Sequence, residues 1–152
     1  MSESLSKSLD APFTSDDELA AIARGVIELS LPKPQWTHRA HFAAALWLMR
    51  SRPELELAWV MPRLIRAYNE STGTANTDTG GYHETITQAS LRAASSFLGK
   101  HDGKPLFAVC NALMESPLGK SDWLLGYWTK ERLFSVEARR HWVEPDITPL
   151  PF

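Results

Sequence analysis

The sequence has almost no cysteine and no long apolar run, and each of these absences excludes a class of protein. Cys110 is the single cysteine among 152 residues, which excludes an intrachain disulfide framework and a cysteine-rich zinc site. No stretch approaches the roughly 18 apolar residues of a membrane-spanning helix, and residues 1–10 lack the apolar core of a secretion signal. We therefore expect a cytoplasmic protein that does not enter the membrane.

The chain also lacks an excess of basic residues. It has 16 Lys and Arg against 18 Asp and Glu, a formal net charge of -2, and no basic stripe is evident. Attraction to a phosphate backbone needs such a stripe, so nucleic acid is not an expected partner. Hydrophobic residues make up 43% of the chain, and a domain of this length buries about two-thirds of its unfolded surface. A bound metal would therefore serve function and not folding.

Apolar side chains recur every three or four residues along most of the chain, a pattern typical of amphipathic helices. Five main helices are predicted: from the Ser15 cap to Ile27, from the Thr37 cap to about Arg50, from Pro53 to about Tyr68, from near His83 to Gly99, and from Pro105 to Pro117. Pro62 interrupts the third pattern and predicts a kink or two abutting segments there. Short helices over 122–128 and 136–142 precede an extended, Pro-rich tail at 144–152.

The organisation of the chain is correspondingly simple. Residues 1–13 are Ser-rich and unpatterned, which predicts a flexible N-terminal arm. No strand alternation, internal repeat or domain linker is evident in the remainder. The sequence therefore predicts an all-α fold with one compact helical domain over residues 14–152.

Polar side chains concentrate in three clusters, at 36–41, 69–79 and 80–85, and these hold three of the five histidines. Histidine titrates near neutral pH, and its neutral ring is a common ligand of transition metals. His38 and His41 are three residues apart, which places them side by side on one helix face. A third ligand from His83 or Glu84 would complete a site for zinc, iron or manganese, with an open position for an activated water. The spacing differs from the His-Glu-x-x-His signature of zinc proteases.

The same clusters offer groups for acid–base chemistry. His83 and Glu84 are the candidate catalytic residues, with Glu84 as a general base if its carboxylate faces a cavity. The positive end of the helix dipole disfavours an added proton on His38 and His83, so we expect both rings to be neutral. The alternative is structural: Glu84 only complements the helix dipole, and His83 only bonds to backbone.

Further side chains in these clusters are candidates for contacting a ligand. They are Trp36, Arg39, Asn69, Tyr82 and Thr85. The Gly80-Gly81 pair precedes a helix and could bring backbone N–H groups to an anion, although a polar connector fits the same sequence. Trp123, Tyr127, Trp128 and Trp142 form either an aromatic wall for a planar ligand or part of the core.

Three segments together resemble a known group of proteins. These are Trp-Thr-His-Arg-Ala-His at 36–41, Gly-Tyr-His-Glu-Thr-Ile-Thr at 81–87, and Ser-x-Glu-Ala-Arg followed by Pro-Asp at 135–146. In this combination the chain resembles a family of small bacterial proteins of uncharacterised function, over about residues 36–150. The resemblance implies a small helical domain and singles out the polar clusters, and it implies no activity.

Three functions remain open on the sequence alone. The first is a small-molecule hydrolase or lyase that uses His38, His41, His83 and Glu84 with or without a divalent metal. The second is a non-catalytic module that binds a metabolite through the same side chains. The third is an interaction protein, including a homo-oligomer, in which the histidines are structural tethers.

Overall fold

The computed structural model describes residues 11–152, and this part of the chain contains α-helices and no strand. The helices are α1 Asp16–Ile27, α2 His38–Ser51, α3 Leu57–Ser71, α4 Glu84–Gly99, α5 Leu106–Glu115, α6 Lys130–Leu133 and α7 Val136–Arg140. Short 3-10 turns occupy Lys33–Gln35, Pro117–Gly119 and Trp123–Gly126. The predicted all-α fold is confirmed. No helix in the described range is long and apolar enough to cross a membrane.

Helix α2 lies at the centre of the domain and packs against α1, α3, α4 and α5. Its small residues explain this position. Ala43, Ala44 and Ala45 are consecutive and buried, so neighbouring helices approach α2 closely on several sides. Leu46 on the same helix is fully buried in the main core. Because α2 starts at His38, this packing also positions its first turn, which carries the half-buried His38 and His41.

The start of α2 is held by a local cap. Thr37 has an extended backbone, and its hydroxyl oxygen accepts a hydrogen bond from the Ala40 N–H over 3.2 Å. A threonine in this position satisfies one of the free N–H groups at a helix start. The predicted Thr37 cap is therefore confirmed, and it defines the helical turn that carries His38 and His41.

The folded domain begins earlier than the sequence predicted. Phe13 is only 5% exposed, and it forms two hydrogen bonds with the Asn111 side chain, over 2.9 Å from its N–H and 2.8 Å to its carbonyl. Phe13 therefore belongs to the packed domain and not to the arm predicted for residues 1–13. Residues 1–10 of that arm lie outside the described residues.

Helix α3 also differs from its prediction. It begins at Leu57 and not at Pro53, and it continues to Ser71 without a break at Pro62. Pro62 is buried in the middle of the helix. The two abutting segments considered for this stretch are therefore not present.

The C-terminal part is less regular than the long helices. The short helix predicted over 122–128 is a 3-10 turn, whereas α6 was not predicted and begins after Thr129, whose hydroxyl oxygen caps it. Residues 142–152 contain no helix. They are attached to the domain by hydrogen bonds from the Trp128 indole N–H to the Val143 carbonyl, 3.0 Å, and from the Ile147 N–H to the Tyr127 carbonyl, 2.9 Å.

Candidate functional site

A cavity of about 180 Å³ lies between α2, α3, α4 and the Trp123–Gly126 turn. Most of its wall is apolar. The apolar lining residues are Phe42, Ala45, Met61, Ile65, Ile86, Leu91 and Leu124, and the polar ones are His38, His41, Thr87, Ser90, Ser121 and Trp123. No Lys, Arg, Asp or Glu of the described chain lines this cavity. A concave apolar site with a few polar groups is the usual form of a small-molecule site.

The ring of His38 is oriented by a distant backbone carbonyl. Its Nε2 lies 2.8 Å from the carbonyl oxygen of Leu118. A carbonyl oxygen only accepts hydrogen bonds, so Nε2 carries the proton and Nδ1 carries the lone pair in the neutral ring. The ring edge also packs against Phe42, with the ring centroids 5.2 Å apart. These contacts fix the tautomer and the orientation of His38 together.

His41 has the opposite tautomer. Its Nδ1 lies 2.7 Å from the Thr37 carbonyl oxygen, so Nδ1 carries the proton and Nε2 the lone pair. The ring stacks on Trp36 with centroids 3.7 Å apart and planes 28° apart. Burial lowers the pKa of His41 to about 4, while the Thr37 carbonyl acts in the opposite direction and the neighbouring His38 adds to the lowering. His41 is therefore neutral at physiological pH and offers a lone pair.

Each of the two histidines that line the cavity has one ring nitrogen whose lone pair the protein leaves unused. Neither the His38 Nδ1 nor the His41 Nε2 has a hydrogen-bonding partner within residues 11–152. In each ring the other nitrogen donates to a backbone carbonyl, an arrangement that holds an imidazole for a ligand. The predicted pairing of His38 and His41 on one face therefore agrees with their shared position in the cavity wall.

Three polar residues that line the cavity were not predicted as site residues: Thr87, Ser90 and Ser121. A fourth, Trp123, was considered only as part of an aromatic wall. Thr87 and Ser90 come from α4, and Ser121 precedes the turn that carries Trp123. The Trp123 side chain is 8% exposed, and its indole N–H is the one buried side-chain donor in the described chain without an acceptor. An unpaired buried donor costs about 1–3 kcal/mol, which a ligand oxygen beside it would offset. The signal in the sequence was the polar pair Thr87 and Ser90 next to the apolar Ile86 and Leu91.

His83 does not line this cavity. It is the N-cap of α4, where its Nδ1 accepts from the Ile86 N–H over 3.1 Å and its Nε2 donates to the Leu133 carbonyl over 2.7 Å. Both ring nitrogens are thus used by the backbone. Burial is the largest cause that lowers the pKa of His83, with the nearby Arg139 cation adding to it, so the ring is neutral as expected. Burial, and not the helix dipole, is the main physical reason.

Glu84 is also engaged outside the cavity. Its Oε1 accepts a hydrogen bond from the Tyr82 hydroxyl over 2.5 Å. Tyr82 is 4% exposed, and burial together with the Glu84 hydrogen bond raises its pKa well above the usual range. The hydroxyl therefore stays protonated and continues to donate to Glu84. Glu84 and Tyr82 therefore bind each other, and neither side chain lines the His38–His41 cavity.

The predicted metal-binding set is not assembled. No group of three or more His, Cys, Asp or Glu within residues 11–152 is arranged to hold a metal ion. His38 and His41 share the cavity, but both nitrogens of the predicted third ligand, His83, are hydrogen-bonded, and Glu84 is bound to Tyr82. Zinc, iron or manganese held by His38, His41 and His83 therefore does not fit this arrangement of donors.

The remaining candidate ligand-binding residues have contacts within the protein. Trp36 supports the His41 ring, and Arg39 lies over the Phe13 ring, 4.1 Å from its centroid, and donates to the Ala11 carbonyl. Asn69 donates to the Asn76 side chain over 3.0 Å. None of these three side chains lines the cavity.

Thr85 is fully buried beneath the C-terminal segment. Its hydroxyl lies 2.8 Å from the Ala138 carbonyl and 2.9 Å from the His141 carbonyl, and it accepts from the Val143 N–H over 3.2 Å. These contacts connect the first turn of α4 to α7 and the tail. Thr85 therefore holds the backbone together in this structure and does not face the cavity.

Comparison with known proteins adds no relative. No protein-family model, curated protein or solved structure matches the chain significantly. The resemblance in the sequence motifs therefore stays a prediction, and the site has to be interpreted from its own chemistry.

Proposed function

We propose that the protein binds a small, uncharged and largely apolar molecule in the His38–His41 cavity, and that this molecule donates a hydrogen bond to one or both histidines. The observation that carries the proposal is the pair of ring nitrogens with unused lone pairs, His38 Nδ1 and His41 Nε2, in a mostly apolar wall. The protein leaves these two lone pairs without a donor, so a ligand with an O–H or N–H group gains a hydrogen bond there.

The size of the cavity supports a ligand with a single ring. Its volume is about 180 Å³, and an apolar cavity of about 150 Å³ accommodates benzene. The absence of charged side chains from the described wall favours a neutral ligand, because an ion would lose its hydration without a partner. The unpaired indole N–H of Trp123 favours a ligand that also carries an acceptor oxygen.

The same features support binding more than catalysis. A hydrolase or lyase would need a base near pH 7, and a histidine with a pKa of about 4 is a weak base. Glu84, the carboxylate considered for this role, is bound to Tyr82. We therefore favour the non-catalytic metabolite-binding alternative over the hydrolase or lyase, with a cytoplasmic location that the single buried thiol of Cys110 supports.

Phenol and toluene are a matched pair of probes for this proposal. They have nearly the same shape, but only phenol donates a hydrogen bond. We expect ligand-observed NMR or calorimetry to detect phenol binding about five- to tenfold tighter than toluene, since one additional hydrogen bond contributes about 1–1.5 kcal/mol. Equal affinities would mean that the histidines do not take part.

Two variants test whether the preference for phenol depends on the histidines of the cavity or on any histidine of the protein. His41→Phe keeps a ring to stack on Trp36 but removes one of the two lone pairs, so the preference for phenol should decrease, and it should disappear when His38→Phe is added. His101→Phe is the control, because the His101 Nδ1 also bonds a carbonyl four residues earlier, Phe97, over 2.9 Å, and its ring also stacks on an aromatic side chain. His101 lies outside the cavity. Loss of the preference in both variants would refute the proposed site.

A further inference from the structure

A second concavity, of about 150 Å³, is bounded by three arginines and shares no lining residue with the His38–His41 cavity. We call it the arginine notch. It is lined by Arg66 from α3, by Arg139 and Arg140 from the end of α7, and by Asn76, Thr77, Asp78 and Tyr82 from the loop before α4. Two separate segments of the chain thus bring three guanidinium groups to one small depression.

The charges in the arginine notch do not cancel. Arg140 forms a two-point contact with Asp78, with N–O distances of 2.7 and 2.6 Å. Arg139 donates only to backbone carbonyls, those of Gly81 at 3.0 Å and Tyr82 at 3.2 Å. The guanidinium of Arg66 lies over the Tyr82 ring, 4.5 Å from its centroid. Within residues 11–152 neither Arg66 nor Arg139 forms a salt bridge, so the notch has two uncompensated positive charges.

The walls of the arginine notch are held in place by hydrogen bonds. The Asn76 side chain accepts from the Tyr82 N–H over 3.0 Å and donates to the Arg66 carbonyl over 3.1 Å. The loop is thereby tied to the same turn of α3 that carries the Arg66 side chain. The Tyr82 hydroxyl is protonated and faces Glu84, so it adds no negative charge. Positive groups held in position lose little freedom when an anion binds.

We propose that the arginine notch binds a small oxyanion, in particular the phosphate group of a small molecule. Guanidinium groups match phosphate oxygens in geometry and form charge-assisted hydrogen bonds with them. The protein as a whole has a net charge of -2, so the local excess of positive charge is a specific feature of this place. The sequence suggested that backbone N–H groups at Gly80-Gly81 could meet an anion; the proposed site lies beside Gly81, whose carbonyl accepts from Arg139, but it would hold the anion with arginine side chains.

The first test is a titration of the full chain with inorganic phosphate at low ionic strength, followed by amide shifts in NMR spectra. We expect saturable shifts at the backbone of Tyr82 and Arg139. Arg66→Gln should weaken binding at least about tenfold, as expected for losing one hydrogen bond to a charged group. Arg63→Gln is the matched control, because the Arg63 guanidinium also lies over an aromatic ring, 4.7 Å from the centroid of Trp59, but outside the notch.

A third variant should act in the opposite direction. Asp78→Asn removes the acid that occupies Arg140, so phosphate should bind more tightly. Equal weakening by Arg66→Gln and Arg63→Gln, or weaker binding to Asp78→Asn, would overturn the proposal, as would the absence of saturable shifts in the wild type.

Methyl phosphate distinguishes the source of the group: tighter binding than inorganic phosphate indicates a phosphate ester, and weaker binding indicates the free anion.

Discussion

Gln88 on α4 supplies a hydrogen bond to the backbone of α3, where its side-chain amide donates to the Ala58 carbonyl over 2.9 Å. Ala58 lies four residues before Pro62, and proline has no N–H to offer that carbonyl. Gln88 therefore provides the donor that Pro62 removes. This contact helps to explain how α3 continues from Leu57 to Ser71 across a proline.

Replacing this donor should destabilise the domain more strongly while the proline is present. Gln88→Met keeps the length of the side chain but cannot donate, and we expect it to lower the free energy of unfolding by about 0.5–1.5 kcal/mol in urea denaturation. In a Pro62→Ala background the loss should be smaller, since an alanine at position 62 restores the backbone N–H. The same loss in both backgrounds would contradict the link between Gln88 and the proline.

The sequence predicts those parts of the structure that depend on neighbouring residues. The Thr37 cap and the side-by-side position of His38 and His41 follow from spacing along one helix, and both are present. Pro62 was expected to interrupt α3 because the rule for proline is local. The carbonyl that Pro62 leaves without a donor, that of Ala58, is paired by Gln88, thirty residues later in the sequence, and no local pattern reveals this contact.

The functions of the other candidate residues depend on contacts between distant segments. The partner of the His83 Nε2 is a carbonyl at Leu133, fifty residues later, and the partner of the His38 Nε2 is at Leu118, eighty residues later. Every residue has a backbone carbonyl, so the residue type does not indicate which carbonyl accepts a hydrogen bond from a histidine. The sequence could therefore indicate which histidines cluster, but not which ring nitrogens remain available for a ligand.

The stability of the protein should depend on pH through His41. Its pKa is about 4 in the folded chain against an ordinary 6.5, so the unfolded chain takes up a proton first as pH falls. The free energy of unfolding should decrease between pH 6.5 and 4, by up to about 3 kcal/mol, and the contribution should level off below pH 4. His41→Phe should lose most of this slope in denaturation measured at a series of pH values.

The remaining slope in that variant has a second source. The pKa of His83 is also lowered, mainly by burial, and acts in the same direction. Because His83 is present in both proteins, the difference between them isolates His41. Identical pH profiles for wild type and His41→Phe would show that the imidazole of His41 is more hydrated than its contacts indicate.

Gly81 should tolerate no side chain, and Gly73 provides a matched comparison. Both have a positive φ, 77° and 83°, which costs an alanine about 1 kcal/mol. A Cβ at Gly81 would also lie 2.5 Å from the Ala75 carbonyl oxygen, whereas a Cβ at Gly73 meets nothing within 4 Å. We expect thermal unfolding to show a small loss for Gly73→Ala and one at least about 2 kcal/mol larger for Gly81→Ala. Similar losses would mean that the loop before α4 adapts to the added methyl group.

Variants of His83 separate its structural role in capping α4 from a role in the ligand site. His83→Ala removes both the cap of α4 and the bond to Leu133, so we expect a loss of about 2–4 kcal/mol in urea denaturation. His83→Asn keeps a capping oxygen and should lose about half as much. In both variants the affinity for phenol, measured under conditions where they are folded, should remain within about twofold of wild type, because His83 does not line the cavity. A His83→Ala variant with unchanged stability and weakened phenol binding would instead assign His83 to the ligand site. In that case the contacts with Ile86 and Leu133 would contribute little to stability, and the side chain would be needed for the ligand.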